Sequence, residues 1–218
     1  MPRRFDLLVF DWDGTLMDSA ACIAGALQAA CRDLGHRVPS ERDARYVIGL
    51  GLNDALAHVL PGVAASAYPA LVERYRHHFL RQDRGTQLFA GVSDMLLALR
   101  AAGHSLAVAT GKSRRGLDRA LHVSGLSEAF HVTRCADEGN SKPDPAMLNW
   151  IMDTLGIARE RTLMIGDTTH DMQMARAAGV ERLALTHGAH ERSTLMDYAP
   201  LACVDDCREL HKWLERNA

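Results

Sequence analysis

Asp11-Trp12-Asp13-Gly14-Thr15 follows directly on the apolar run Leu7-Leu8-Val9-Phe10. An apolar run of this length, bounded by polar residues and a glycine, predicts a buried strand that opens into a loop, with two carboxylates at the opening. In an open parallel sheet, ligands bind beyond the carboxyl ends of the strands. A carboxylate pair there, next to a glycine that lets backbone come close to a ligand, fits phosphate and a divalent metal better than an apolar substrate. The same residues also suit a plain Asp-Gly turn capped by Asp11, so the rest of the chain has to decide.

Beyond this stretch the pattern is helical for a long way. Leu16 to about Gly35 carries Cys22, Ile23, Ala26, Leu27, Ala30, Cys31 and Leu34 at helical spacing. A second helix starts near Ser40-Glu41 and runs toward Ile48, where Gly49-Leu50-Gly51 breaks it. A third is expected from about Asn53 to Leu60, and a fourth from about Ala64 to Arg81. No strand pattern interrupts residues 18–86. Four helices far exceed a single strand-to-strand crossover, so residues 18–86 read as an all-helical insertion, a cap, between residues 1–17 and 87–218.

From residue 87 strands and helices alternate. Ser105 to Ala109 is a strand running into Thr110-Gly111-Lys112-Ser113, and His131 to Thr133 is a weaker one. Ser141-Lys142-Pro143-Asp144-Pro145 opens a helix. Arg161 to Ile165 is a strand leading into Gly166-Asp167-Thr168-Thr169-His170-Asp171, with a helix from Met172 to Ala178, a strand from Arg182 to Thr186 and a last helix from about Arg208. This alternation predicts an α/β fold with a doubly wound parallel sheet.

Bulk composition narrows the setting. The chain has 218 residues, 47% hydrophobic and 24% charged, and a net charge of −2, values ordinary for a globular protein and without the basic footprint of a nucleic-acid binder. No window is apolar for long enough to span a membrane, and the run after Pro2-Arg3-Arg4 is too short for a signal peptide. The five cysteines form no Cys-x-x-Cys and are odd in number, which fits reduced thiols and a cytoplasmic protein.

Four loops now carry polar groups: Asp11 and Asp13, Thr110 with Gly111, Lys142, and Asp167 with Asp171. Each has a plain explanation alone, as a helix cap or a solvated cation. Their recurrence where strands give way to loops or helices argues for one site. The chemistry that uses such a set is phosphoryl transfer. A carboxylate nucleophile, Asp11, can split the reaction through an acyl phosphate. Asp13 can give a proton to the leaving oxygen and later take one from water. Lys142, the Thr110 hydroxyl, the Gly111 N–H and the Gly14 backbone can hold the phosphate, and Mg²⁺ on Asp11, the Asp13 carbonyl and Asp167 can offset the remaining charge. Asp171, one helical turn past Asp167, is placed to hold a metal-bound water or Lys142.

As a set, Asp11-Trp12-Asp13-Gly14-Thr15-Leu16, Ala109-Thr110-Gly111, Lys142-Pro143-Asp144-Pro145 and Gly166 to Asp171 resemble, in order, the four motifs of the haloacid dehalogenase superfamily. The resemblance covers nearly the whole chain and is nearest the phosphoglycolate phosphatase-like branch. It implies a Rossmann-like core with a helical cap and Mg²⁺-dependent hydrolysis of a small phosphorylated metabolite, with no nucleic-acid or membrane partner. Two positions depart from that branch: Gly111 stands where Asn is frequent, and Ala90 where Pro is.

Within the superfamily, dehalogenation needs neither Asp13 nor Asp167, and a phosphonatase needs a cap lysine, whereas the lysines here are Lys112, Lys142 and Lys212. A phosphomutase like β-phosphoglucomutase shares every motif and would need a second phosphate held by the cap, for which Arg42 and Arg45 are available. A non-catalytic phosphate-binding regulatory module is the alternative outside enzymes. Gly49, Leu50, Gly51 and Asn53 form the cap segment expected to face substrate, since a break between helices can dip into a cleft. His170, His187 and His190 near strand ends invite a metal reading, against which the hard carboxylate set weighs. The sequence leaves open whether the protein is a monomer or a homodimer.

Overall fold

The computed structural model describes residues 3–82 and 85–218. Six strands, β1 (Leu7–Phe10), β2 (Ser105–Thr110), β3 (Val132–Cys135), β4 (Thr162–Gly166), β5 (Glu181–Leu185) and β6 (Cys203–Val204), form one parallel sheet in the order β3-β2-β1-β4-β5-β6. The expected α/β, Rossmann-like doubly wound sheet is the one observed. Its chain order reverses between β1 and β4, the position where such sheets open a crevice beyond the strand ends.

Alternate residues of β1 explain why it is apolar throughout. Leu8 and Phe10 pack into a cluster with Leu106, Val108, Leu163 and Ile165 that also takes in α5 (Val92–Ala101). Leu7 and Val9 face the other way, onto Met147, Leu148 and Ile151 of α7 (Ala146–Leu155) and Met174 and Ala175 of α8 (Thr169–Ala178). A strand covered by helices on both faces has no polar side to alternate with.

Between β1 and α5 lie α1 (Ala20–Asp33), α2 (Glu41–Tyr46), α3 (Leu52–Val59) and α4 (Tyr68–Gln82), with a short 3-10 turn at Ala65–Ala67 before α4. Their apolar sides make a separate cluster around Leu27, Cys31, Ala44, Val47, Leu56 and Leu71. Of the ranges 1–17 and 18–86 read from the sequence, residues 1, 2, 83 and 84 lie outside the described residues. The chain continues through α6 (Arg114–Ser124), α9 (Arg192–Met196) and α10 (Cys207–Asn217). All five cysteines are free thiols, and among the described residues no helix is long and apolar enough to cross a membrane.

Several boundaries differ from the sequence reading, each for a local reason. Leu16 does not start α1: its N–H and that of Met17 return to the Trp12 carbonyl in a turn, and Leu16 is buried against the sheet. Helix α8 begins three residues before Met172, because the Thr168 side chain accepts the Asp171 N–H while the Asp171 carboxylate accepts the Thr168 N–H, a reciprocal cap that extends the helix toward the strand. Asn53 lies within the first turn of α3 and is exposed, not in the inter-helix break. β6 and α9 were not anticipated.

Candidate active site

The edge of the sheet at the β1–β4 crevice gathers the predicted groups. The Asp11 N–H donates to the Ile165 carbonyl at 2.9 Å, which extends the β1–β4 pairing one residue and fixes the start of the loop. Lys142 Nζ lies 2.7 Å from Asp11 Oδ1 and 2.6 Å from Asp171 Oδ1, and all three side chains are fully buried. Carboxylate oxygens of Asp11, Asp167 and Asp171 come within 4.8 Å of one another. Asp167 is held by the Thr15 hydroxyl, which donates to Oδ1 at 2.6 Å, and by the Ala189 N–H, which donates to Oδ2 at 2.7 Å.

The electrostatics of this cluster are unbalanced. Among the described residues, three buried carboxylates face one ammonium here, and Asp11 Oδ2 is buried without a hydrogen-bond partner. Burial, with the neighbouring Asp171 and Asp167 carboxylates, holds the Asp11 carboxyl well above the usual range despite Lys142. Burial and Asp171 likewise push Asp167 up to about 7, against the pull of Thr15 and Ala189. Burial alone would lower the Lys142 pKa, but Asp11 and Asp171 outweigh it and raise it above the usual lysine value. A divalent cation answers both the charge excess and the orphaned oxygen, and an all-oxygen donor set suits a hard ion. The residues present therefore fit Mg²⁺.

The backbone leaves no slack around these carboxylates. Gly14 adopts φ +82°, and a Cβ there would stand 2.2 Å from Asp167 Oδ2. A Cβ on Gly188 would lie 2.0 Å from the same oxygen. Only glycine serves at either position. Asp171 reconciles its two sequence readings, since Oδ2 completes the α8 cap while Oδ1 holds Lys142.

Asp13 takes different partners. Its Oδ1 accepts from the Ser19 hydroxyl at 2.6 Å and pairs with Lys112 Nζ at 2.9 Å. The buried Thr110 hydroxyl at the end of β2 accepts the Lys112 N–H at 3.2 Å. Gly111 lies under the break between α2 and α3: a Cβ there would meet the Gly49 and Leu50 carbonyl oxygens, each at 2.5 Å. The Gly51 N–H donates to Ser141 Oγ, which itself donates to Asp54 Oδ2 at 2.5 Å. The Gly49 and Leu50 carbonyls thus lie over Gly111 and Gly51 reaches Ser141, whereas Asn53 is exposed on α3. Arg45 is spent on Glu41 at the surface, at 2.8 Å.

The histidines near the strand ends bind a carbonyl. The Thr169 N–H donates to His190 Nδ1 at 3.0 Å, which leaves the proton on Nε2 to be donated to the Tyr46 carbonyl, also at 3.0 Å. His170 Nε2 donates to that same carbonyl at 2.7 Å. The Tyr46 ring stacks on His190 with an interplanar angle of 7°. Tyr46 ends α2, where a helix leaves carbonyls without partners. With both ring nitrogens of His190 engaged, it has no lone pair for a metal. His187 donates to the Thr15 carbonyl at 3.2 Å and stacks on Phe89. Tyr46, Lys112, Gly188 and Ala189 were not singled out from sequence.

Comparison with known proteins agrees with this geometry. A profile described as haloacid dehalogenase-like hydrolase matches residues 8–185. The chain is 36% identical over 210 residues to a probable phosphatase IndB of Dickeya dadantii, covering 94% of this chain and 91% of that protein. It is 31% identical over 213 residues to a phosphoglycolate phosphatase of Vibrio cholerae, covering 94% of each. A crystal structure of a hydrolase from Pseudomonas syringae superposes with a TM-score of 0.91 at 21% identity, over 98% of this chain and 99% of that one, a likeness of fold. The chain belongs to the haloacid dehalogenase-like hydrolase family and is one of its phosphatases.

Proposed function

We propose that the protein is a Mg²⁺-dependent phosphatase of small phosphate monoesters, working through a phosphorylated Asp11, with residues 18–86 as a cap over a core formed by residues 1–17 and 87–218. The relatives named phosphoglycolate phosphatase support a substrate of that size and charge. The observation that carries the reading is the Lys142 ammonium clamped between Asp11 and Asp171 while the second oxygen of Asp11 has no hydrogen-bond partner among the described residues.

In this mechanism an Asp11 carboxylate oxygen attacks phosphorus as the ester P–O bond breaks, and Asp13 gives its proton to the departing alkoxide. Asp13 then takes a proton from water as the water oxygen attacks the phosphorus of the aspartyl phosphate, which frees inorganic phosphate and restores the Asp11 carboxylate. Lys142, the Thr110 hydroxyl, the Gly111 N–H and the Gly14 backbone hold the phosphoryl oxygens. Asp11, the Asp13 carbonyl and Asp167 would hold Mg²⁺, which supplies positive charge against the transferring group. Asp171 keeps Lys142 aimed at Asp11. Gly49, Leu50 and Gly51 close over the substrate, so water other than the attacking one is kept out.

The test is phosphate release from p-nitrophenyl phosphate and 2-phosphoglycolate with and without Mg²⁺. Hydrolysis is expected only with the metal, and Asp11→Asn, nearly the same in shape, is expected to lower kcat by at least about 10³-fold with an unchanged circular dichroism spectrum. Turnover without Mg²⁺, or undiminished turnover in the variant, overturns the reading.

A further inference from the structure

Two lysines stand at the strand ends and they are used differently. Lys142 is committed to Asp11 and Asp171. Lys112 points toward the helical region: its Nζ is 2.9 Å from Asp13 Oδ1 and 4.8 Å from the centroid of the Phe79 ring on α4. Its backbone is pinned on both sides, the N–H donating to Thr110 Oγ1 at 3.2 Å and the carbonyl accepting the Ala136 N–H at 3.0 Å. The side chain is 13% exposed and that of Asp13 9%, so the pair is nearly dry without being sealed.

Where that ammonium stands decides what it can reach. In the phosphatase reading, on which this inference rests, the phosphoryl group lies toward Asp11 and Lys142, and Asp13 touches the leaving oxygen. A cation within hydrogen-bond distance of Asp13 therefore lies beside the first atoms of the leaving alcohol. Ser19 and Lys112 both engage Oδ1 of Asp13, which keeps Oδ2 for the leaving oxygen. The facing segment, Gly49-Leu50-Gly51, brings no charge of its own. In that reading Asp13 carries the proton it will donate while substrate is bound, so a substrate anion entering here can take over Lys112 and leave no ion unpaired, whereas a neutral group would leave the ammonium without a counter-charge. The Phe79 face limits the room beyond it and favours a short leaving group.

We infer that Lys112 is a specificity-determining residue that binds an anionic substituent, carboxylate or phosphate, carried a few bonds from the ester oxygen on the leaving group.

The experiment compares kcat/KM for 2-phosphoglycolate, ethylene glycol bisphosphate, the neutral analogue 2-hydroxyethyl phosphate, and p-nitrophenyl phosphate, whose leaving group needs little proton help. Wild type is expected to prefer at least one of the two charged alkyl esters over the neutral one by about tenfold or more, and which of the two identifies the anion. Lys112→Met should bring that ratio close to one while p-nitrophenyl phosphate turnover stays within about threefold, and Lys112→Arg should keep part of the preference. A preference that survives Lys112→Met, a wild type without preference, or an equal loss on charged and neutral alkyl esters would each overturn the inference, the last by reducing Lys112 to a support for Asp13. A wild type inactive on p-nitrophenyl phosphate would instead remove the phosphatase reading beneath it.

Discussion

Two groups in this protein are gripped in the same way and differ in what the grip costs to release. The Lys142 ammonium sits between two carboxylates of the sheet edge, and the Tyr46 carbonyl sits between two imidazoles of the same edge. The first grip is charged and buried, so taking one member away leaves buried ions without their counter-charge. The second is neutral and joins α2 to the core. Each neutral hydrogen bond contributes only about 1 kcal/mol net, and water can replace it when the elements separate. The grip at the sheet edge is thus costly to break, and the one that joins α2 to the core is exchangeable.

The sharpest way to break that contrast is at Lys142. Lys142→Met keeps most of the stem and removes the charge, taking away the one cation that pairs with Asp11 and Asp171 among the described residues. Unfolding in urea without metal should show a loss of about 3–5 kcal/mol, and phosphate release should fall by at least about 10³-fold. A loss under about 1 kcal/mol would mean the two grips are energetically alike.

A pH experiment addresses the neutral grip. Burial, aided by the nearby His190, pushes His170 down to about 4 from 6.5, although the Tyr46 carbonyl favours its protonated form. Between those values the unfolded chain binds a proton that the folded protein refuses. The contribution of His170 is therefore complete above pH 6.5 and drains away as pH falls toward 4, in all about 3 kcal/mol. Burial lowers His190 in the same direction. The difference in unfolding free energy between wild type and His170→Phe, followed from pH 7.5 to 4, should shrink as the solution is acidified; a constant difference would show that His170 is not held neutral.

How much of this was legible in the sequence follows from where each signal is written. Asp11, Thr110 and Asp167 announce themselves because a polar residue after an apolar run is a local pattern, Lys142 because it stands at the proline-marked opening of a helix, and the parallel sheet does the gathering. Tyr46 could not be found that way. It acts through its backbone carbonyl, which every residue has, and the residue is 41% exposed, so nothing in α2 marks it. Ala189 and Gly188 serve Asp167 from a loop that lies alongside only once β5 has paired with β4. Lys112 was visible as a residue of the Thr110 loop, but its partners Asp13 and Phe79 are tertiary. β6 is two residues long, too short for any period to show. Asn53 was assigned to the break because the helix start was placed one residue late, and α3 opens at Leu52.

The smallest expected effect is also the most diagnostic of what the neutral grip is for. His170→Phe with His190→Phe keeps aromatic bulk beside Tyr46 and removes both donors to its carbonyl. Global stability at pH 7.5 should drop by only about 2 kcal/mol, because the helical cluster around Leu27 and Leu56 and the sheet clusters are left intact. Amide hydrogen exchange should speed up along residues 41–52 and stay unchanged in β1 and β4. If the carbonyl contact places Gly49-Leu50-Gly51 over Gly111, KM for a small phosphate ester should rise more than kcat falls, since the loop then has to be ordered by substrate alone. Uniform exchange across the sheet and α2 would instead tie the helical region to the core as one cooperative unit, with the two imidazoles no easier to release than the ammonium of Lys142.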